Sequence, residues 1–188
     1  MTDSGAFTLE KIPKNGRLDK YLKECLMILE HLKGCPMPLK QKDVVSLERF
    51  LRKIFEDCIS YLKEVLRVAF PAVGVVIYYK PKEYAEFYKK LDEMLGPKPY
   101  RKATIVGKGS KAVIHIDFQS IFEGKPIEFV TNLSIIYLEE LVHYTYPSKS
   151  ETEIHELVCS VVEGFLEIKL PNNFKQERLK RARIYNGY

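Results

Sequence analysis

The sequence predicts an α+β fold: an N-terminal helical hairpin, then a small core with a three-stranded sheet and two C-terminal helices. Three observations carry this expectation. Apolar residues recur at helical spacing over two long stretches before residue 70. Short runs rich in β-branched and aromatic residues then appear between residues 73 and 118. Two further helical stretches follow, separated by Pro147. The 188 residues suit one domain with a helical extension, and 46% hydrophobic with 29% charged residues excludes disorder along most of the chain.

Residues 1–16 show no sustained period and read as a loose arm. From Arg17 to Lys33, Leu18, Tyr21, Leu22, Cys25, Leu26, Ile28, Leu29 and Leu32 define an apolar helical face. Gly34 with Pro36 and Pro38 is a stop signal. A second helix is expected from about Asp43 to Phe70, ended by Pro71, and the short link makes the pair an antiparallel hairpin. Val73 to Tyr79 reads as a strand. Pro81 opens a helix at its first turn, running to Leu95 before Gly96 and Pro97. Strands follow at Lys102 to Val106 and Ala112 to Phe118, and Gly107-Lys108-Gly109-Ser110 suits the hairpin between them. That link resembles a phosphate loop, but it lacks the four-residue spacer and a strand rather than a helix follows. Helices are expected from about Ile127 to Tyr144, and from a Ser148 or Ser150 cap to about Lys169. The chain thus divides into residues 1–70 (arm and hairpin), 71–170 (α+β core) and 171–188 (basic tail).

Charge and cysteine usage narrow the function classes. The net charge of +5 is concentrated in the tail, where Lys175, Arg178, Lys180, Arg181 and Arg183 face a single Glu177. Whole-chain basicity therefore argues only weakly for nucleic acid, and binding to it is expected only through that tail. Cys25, Cys35, Cys58 and Cys159 form no CxxC pair and read as buried hydrophobes rather than a zinc finger. No run of 18 apolar residues and no signal-peptide pattern occur, so no membrane association and a cytoplasmic location are expected. Abundant Lys and Glu with only three Gln lean towards a thermophile.

The segment with chemical potential is Leu138-Glu139-Glu140-Leu141-Val142-His143. Residues four apart share a helix face, so Glu139 and His143 point the same way with Glu140 to one side. HExxH zinc sites use this geometry, with ligands at the ends and a Glu general base second. Twelve residues on, His155 sits in the first turn of the next helix with Glu151 and Glu153, and the Pro147 turn can fold it back. The competing reading is a solvated helix face followed by acids that complement the next helix dipole. A di-iron carboxylate site is disfavoured, because Glu151-Thr-Glu153-Ile-His155 lacks the second ExxH. His115, mid-strand, either lines a cleft or lies on a solvated sheet face.

From about Val73 to Leu170 the chain resembles the small zincin-like metallopeptidase domains, closest in character to those of archaea and their viruses. The matching features are Glu140 at the catalytic glutamate, His143 at the second histidine, and Tyr146-Pro147 to Ser150-Glu151 leading into the last helix. Glu139 stands where the family has its first histidine. The resemblance implies a metal-dependent hydrolase of peptidase type acting on a peptide or protein, with Glu139, His143 and His155 on zinc and Glu140 as general base. Glu151 and Glu153 are the other candidates for the third ligand. With Glu139 at the first ligand position, the alternative is a degenerate, non-catalytic interaction or nucleic-acid-binding protein on the same scaffold.

Overall fold

The computed structural model describes residues 14–32, 41–70, 72–96, 101–122 and 125–185. Residues 1–13 of the expected arm, the Gly34–Pro38 stop with Cys35, Pro71, Pro97 and Gly124 lie outside the described residues.

Helices α1 (Arg17–Leu32) and α2 (Gln41–Leu66) bury the faces their periodicity defines, Leu18, Tyr21 and Cys25 on one and Leu47, Phe50, Leu51, Ile54, Phe55, Cys58 and Leu62 on the other. Their cross-contacts run in opposite directions along the chain, which makes the pair antiparallel. The Tyr21 hydroxyl donates to Asp57 at 2.5 Å, and Lys53 pairs with Glu24 at 2.6 Å.

The three expected strands form one sheet: β1 (Gly74–Tyr78), β2 (Ala103–Val106) and β3 (Val113–Asp117), in the order β1-β3-β2. β1 runs parallel to β3 with Val76 opposite His115, and β2 runs antiparallel with Thr104 opposite His115. Helix α3 (Pro81–Leu95) lies between β1 and β2 in sequence and packs on both β1 and β3. It decides the fate of His115, which the alternation of β3 places opposite buried Ile114 and Ile116. The imidazole stacks on Phe87 at 4.0 Å between ring centres, and the Tyr78 hydroxyl meets its Nδ1 at 2.9 Å. His115 therefore belongs to the packing of the α3 face.

Two helices go beyond the expected order. A five-residue α4 (Phe118–Phe122) follows β3 directly and buries Phe118 and Ile121. The basic tail is itself a helix, α7 (Asn172–Tyr185), packed on α6 (Glu151–Leu166). Between α4 and α6 lies α5 (Pro126–Thr145), buried on nearly every side from Phe129 to Val142. It touches α1, α2, α4, α6 and β2, and a single hydrophobic core runs from the hairpin through the sheet to α6. A helix apolar all round occupies the centre of a fold rather than its surface. Ser150 caps α6: its hydroxyl accepts the Glu153 amide at 3.3 Å, and Glu153 accepts the Ser150 amide at 2.9 Å. No helix among the described residues is long and apolar enough to cross a membrane.

The β2–β3 turn supplies a contrast in glycine requirement. Gly107 has φ 96°, and a Cβ there would run into the Lys111 carbonyl, whereas Gly109 has φ 57° and open space around it. Gly107→Ala is expected to lower unfolding stability by about 2–3 kcal/mol and Gly109→Ala by only about 1 kcal/mol. Urea unfolding of the two variants checks the order.

Candidate functional site

The cleft that contains the EExxH segment has a volume of about 460 Å³. Its walls are α5 (Ile136, Glu139, Glu140, His143), the start of α6 (Glu151, His155), the approach to β2 (Arg101, Lys102, Ala103) and one face of α7 (Phe174, Arg178, Ala182). All four residues singled out in the sequence, Glu139, Glu140, His143 and His155, thus meet in one place. His155 arrives there because α6 packs along α5 after the Pro147 turn. Of the other third-ligand candidates, Glu151 also faces the cleft. Glu153 is spent on the α6 cap and on Lys149, 3.8 Å away.

Glu139, Glu140, His143 and Glu151 each have a partner. The Glu139 carboxylate accepts from the Arg178 guanidinium at 2.7 Å, and its other oxygen lies 3.9 Å from His155 Nδ1. Burial pushes the Glu139 carboxyl up, but Arg178, His155 and His143 outweigh it and bring it down to about 2. Glu140, one position on, moves the other way. It is nearly sealed from solvent, and burial together with the Glu139 charge raises it to about 7 against the pull of His143 and Arg101. Its Oε2 accepts the Ile105 amide of β2 at 2.8 Å.

His143 Nε2 lies 3.1 Å from Glu151 Oε2, and the other Glu151 oxygen accepts from Arg101 at 3.1 Å. Burial works against the charged imidazole, but the Glu151 hydrogen bond and the charges of Glu151, Glu140 and Glu139 hold it above its ordinary value. The Glu151 carboxyl is lowered by the His143 hydrogen bond and by Arg101, against the effect of burial. His155 is fully buried, with Nε2 3.4 Å from Cys159 Sγ. Burial pushes that thiol up to about 11, so it stays protonated and unreactive at neutral pH.

The expected zinc can be tested against this donor set. Carboxylates and imidazoles are suitable ligands. As arranged, however, they do not fit a metal: among the described residues no three of His, Cys, Asp or Glu are placed to hold one. Electrostatics also stands against a metal there. Arg178 sits on Glu139 and Arg101 on Glu151, so two guanidiniums already balance the two ionised carboxylates. Unit charges of like sign 4 Å apart repel by about 4 kcal/mol at an effective dielectric of 20, and a dication doubles that.

Arg101, Arg178 and Cys159 were not among the residues singled out for this site. A signal for Arg178 exists in the sequence, because Phe174, Arg178 and Ala182 fall four apart and so share one helix face. Arg101 precedes a strand in a segment with no periodicity to orient it.

No protein-family model, curated protein or solved structure matches the chain.

The raised Glu140 carboxyl fixes the sign of a pH effect. Its folded value of about 7 lies above the ordinary 4.5. The folded state is therefore progressively penalised as pH rises from about 4.5 to 7, and the penalty is constant above that. Glu140→Gln keeps an oxygen for the Ile105 amide and removes the penalty. The variant is expected to gain up to about 3 kcal/mol relative to wild type between pH 4.5 and pH 8. Urea unfolding at the two pH values measures it, and a pH-independent difference would contradict the assignment.

Proposed function

We propose that the protein is a non-catalytic binding module on a zincin-like scaffold, whose α5–α6–α7 cleft takes a segment of polypeptide. The observation that carries this proposal is the consumption of the would-be metal donors by ion pairs: Glu139 by Arg178, and Glu151 by Arg101 and His143. The lining supports a peptide in particular. Ile136, Ala103, Phe174 and Ala182 supply apolar surface, while Lys102, Arg181, Glu128 and Glu177 bring charges of both signs. Such a surface matches a ligand with apolar side chains and charges of both signs. A nucleic acid would call for a more uniformly basic wall.

A second reading, a metal-dependent hydrolase of peptidase type, is favoured by one specific observation. Glu139, Glu140 and His143 share a cleft with His155 from the next helix, and β2, an antiparallel edge strand, lies beside them. A bound zinc would polarise a carbonyl and activate water. A third, nucleic acid bound along α7, draws on the exposed Lys180, Arg181 and Arg183.

One set of measurements separates the three. Fluorescence anisotropy with a mixed-sequence peptide set is expected to show saturable binding that Arg101→Ala weakens about tenfold. No cleavage is expected with zinc in excess. One zinc per chain together with cleavage abolished by Glu140→Gln would replace the binding module with the hydrolase. Binding to DNA or RNA that loses up to about three units of salt slope when Lys180, Arg181 and Arg183 become Ala would favour the nucleic-acid reading.

A further inference from the structure

The two edges of the sheet end differently. On the β2 side Glu140 takes the outward Ile105 amide, and α5 packs against the strand. On the β1 side the Gly74 amide donates to the Ala112 carbonyl at 2.9 Å, and the ladder to β3 continues in register to Tyr78. Successive residues of a strand turn their backbone groups to opposite sides, so those of Val75 and Ile77 point away from β3. Neither residue's amide or carbonyl has a partner among the described residues. Edge strands are ordinarily blunted by charge, proline or a bulge. Val73 to Tyr79 contains no charged residue and no proline, and β1 pairs with β3 without a break. At its middle, Val76 is 41% exposed.

We infer that β1 pairs antiparallel with β1 of a second copy of this chain about a two-fold axis between their Val76 residues, joining the two three-stranded sheets into one. A copy fits better than a foreign chain because the edge is self-complementary. In this register Val75 of each copy faces Ile77 of the other, so every outward N–H and C=O of β1 is paired. Sliding the pair by two residues pushes one of these partners off the end of β1, and sliding by one turns the buried face outward. Val76 meets Val76 as a β-branched cross-strand pair, and each Tyr78 lies opposite a Gly74, which has no side chain to compete with the ring. On the other face, a groove of about 190 Å³ between α2 and β1 is lined by Phe55, Val75 and Ile77 and rimmed by Glu48, Arg52 and Glu56. Those three charges fall four apart on α2 with alternating sign. A two-fold reverses the row, so an offset of one turn sets Arg52 of each copy against Glu48 of the other. A seam five residues long is small, so the dimer is weak and concentration-dependent. The inference does not involve the α5–α6–α7 cleft, so either proposal can fail alone.

The test follows the full chain by sedimentation velocity from about 5 to 500 µM, with amide hydrogen exchange along the same series. Wild type is expected to pass from monomer to dimer, and the Val75 and Ile77 amides to gain about tenfold protection. Val76→Lys sets two ammonium groups against each other at the axis. It is expected to weaken association about 100-fold and leave both amides open, with a native circular dichroism spectrum. Val76→Cys is expected to form a disulfide-linked dimer on mild oxidation, because Cα atoms of a non-hydrogen-bonded pair lie ~4.5 Å apart, within disulfide range. Lys90→Cys, exposed on α3, controls for random collision, and wild type for the native thiols. A wild type monomeric throughout, a folded Val76→Lys that still dimerises, or a Val76→Cys that cross-links no faster than Lys90→Cys overturns the inference. Protection of both amides that dilution leaves unchanged also overturns it, by assigning the edge to another segment of the same chain. So does protection gained only on adding a mixed-sequence peptide set, by assigning the edge to a foreign strand. Should Val76→Lys fail to fold, the wild-type dilution series and the Val76→Cys cross-link decide between these outcomes.

Discussion

A helix enclosed by protein must find a partner for every charge it carries, and α5 carries Glu139, Glu140 and His143 in its last two turns. The surrounding elements are arranged to meet that demand. β2 presents the Ile105 amide to Glu140, and this amide points away from β3 because the hydrogen-bonded pairs of the ladder fall at residues 102, 104 and 106. The start of α6 supplies Glu151 to His143. The tail helix supplies Arg178 to Glu139. Without these partners the central helix would bury bare charge, at a cost of several kcal/mol per group.

Two adjacent glutamates show how finely position sets chemistry. They differ by about 100° of helix rotation. Glu139 turns towards α7 and His155 and is a firm carboxylate, while Glu140 turns into the α5–β2 contact, where burial holds its carboxyl near neutrality. Adjacent carboxyls driven apart in this way mark functional clefts more often than ordinary surfaces. Ion pairs of this kind roughly break even for stability once desolvation is counted. Stability alone therefore does not account for the cluster.

The opposite side of the sheet is organised by rings. Tyr78, Tyr84, Phe87 and His115 stack under α3, and the Tyr84 hydroxyl donates to the Arg101 carbonyl at 2.7 Å. That last bond ties the aromatic layer to the residue whose guanidinium holds Glu151. The α3 face and the cleft are thus coupled through one backbone position.

Periodicity alone was enough to place the α1–α2 hairpin, the three strands, and α3, α5 and α6, because each has a clear apolar face or a β-branched run, and most have a proline or glycine close to their end. It also put Glu139 and His143 on one side of a helix, since i and i+4 always coincide there. It could not place α4, which is a single turn, nor choose between the cleft and the sheet face for His115, which α3 decided by covering it. Whether His155, Glu151 or Glu153 turned inward depended on the Ser150 cap and on the angle at which α6 returns along α5. The largest difference lies at residues 171–188. Their composition reads as a solvated basic end, yet Phe174 and Ala182 give the helix enough of an apolar face to dock on α6, and docking carries Arg178 onto Glu139. Local pattern dictates which face a residue occupies. Which charge meets which is settled only when separate faces are packed together, because an ion pair between residues 139 and 178 leaves no trace in the spacing of either.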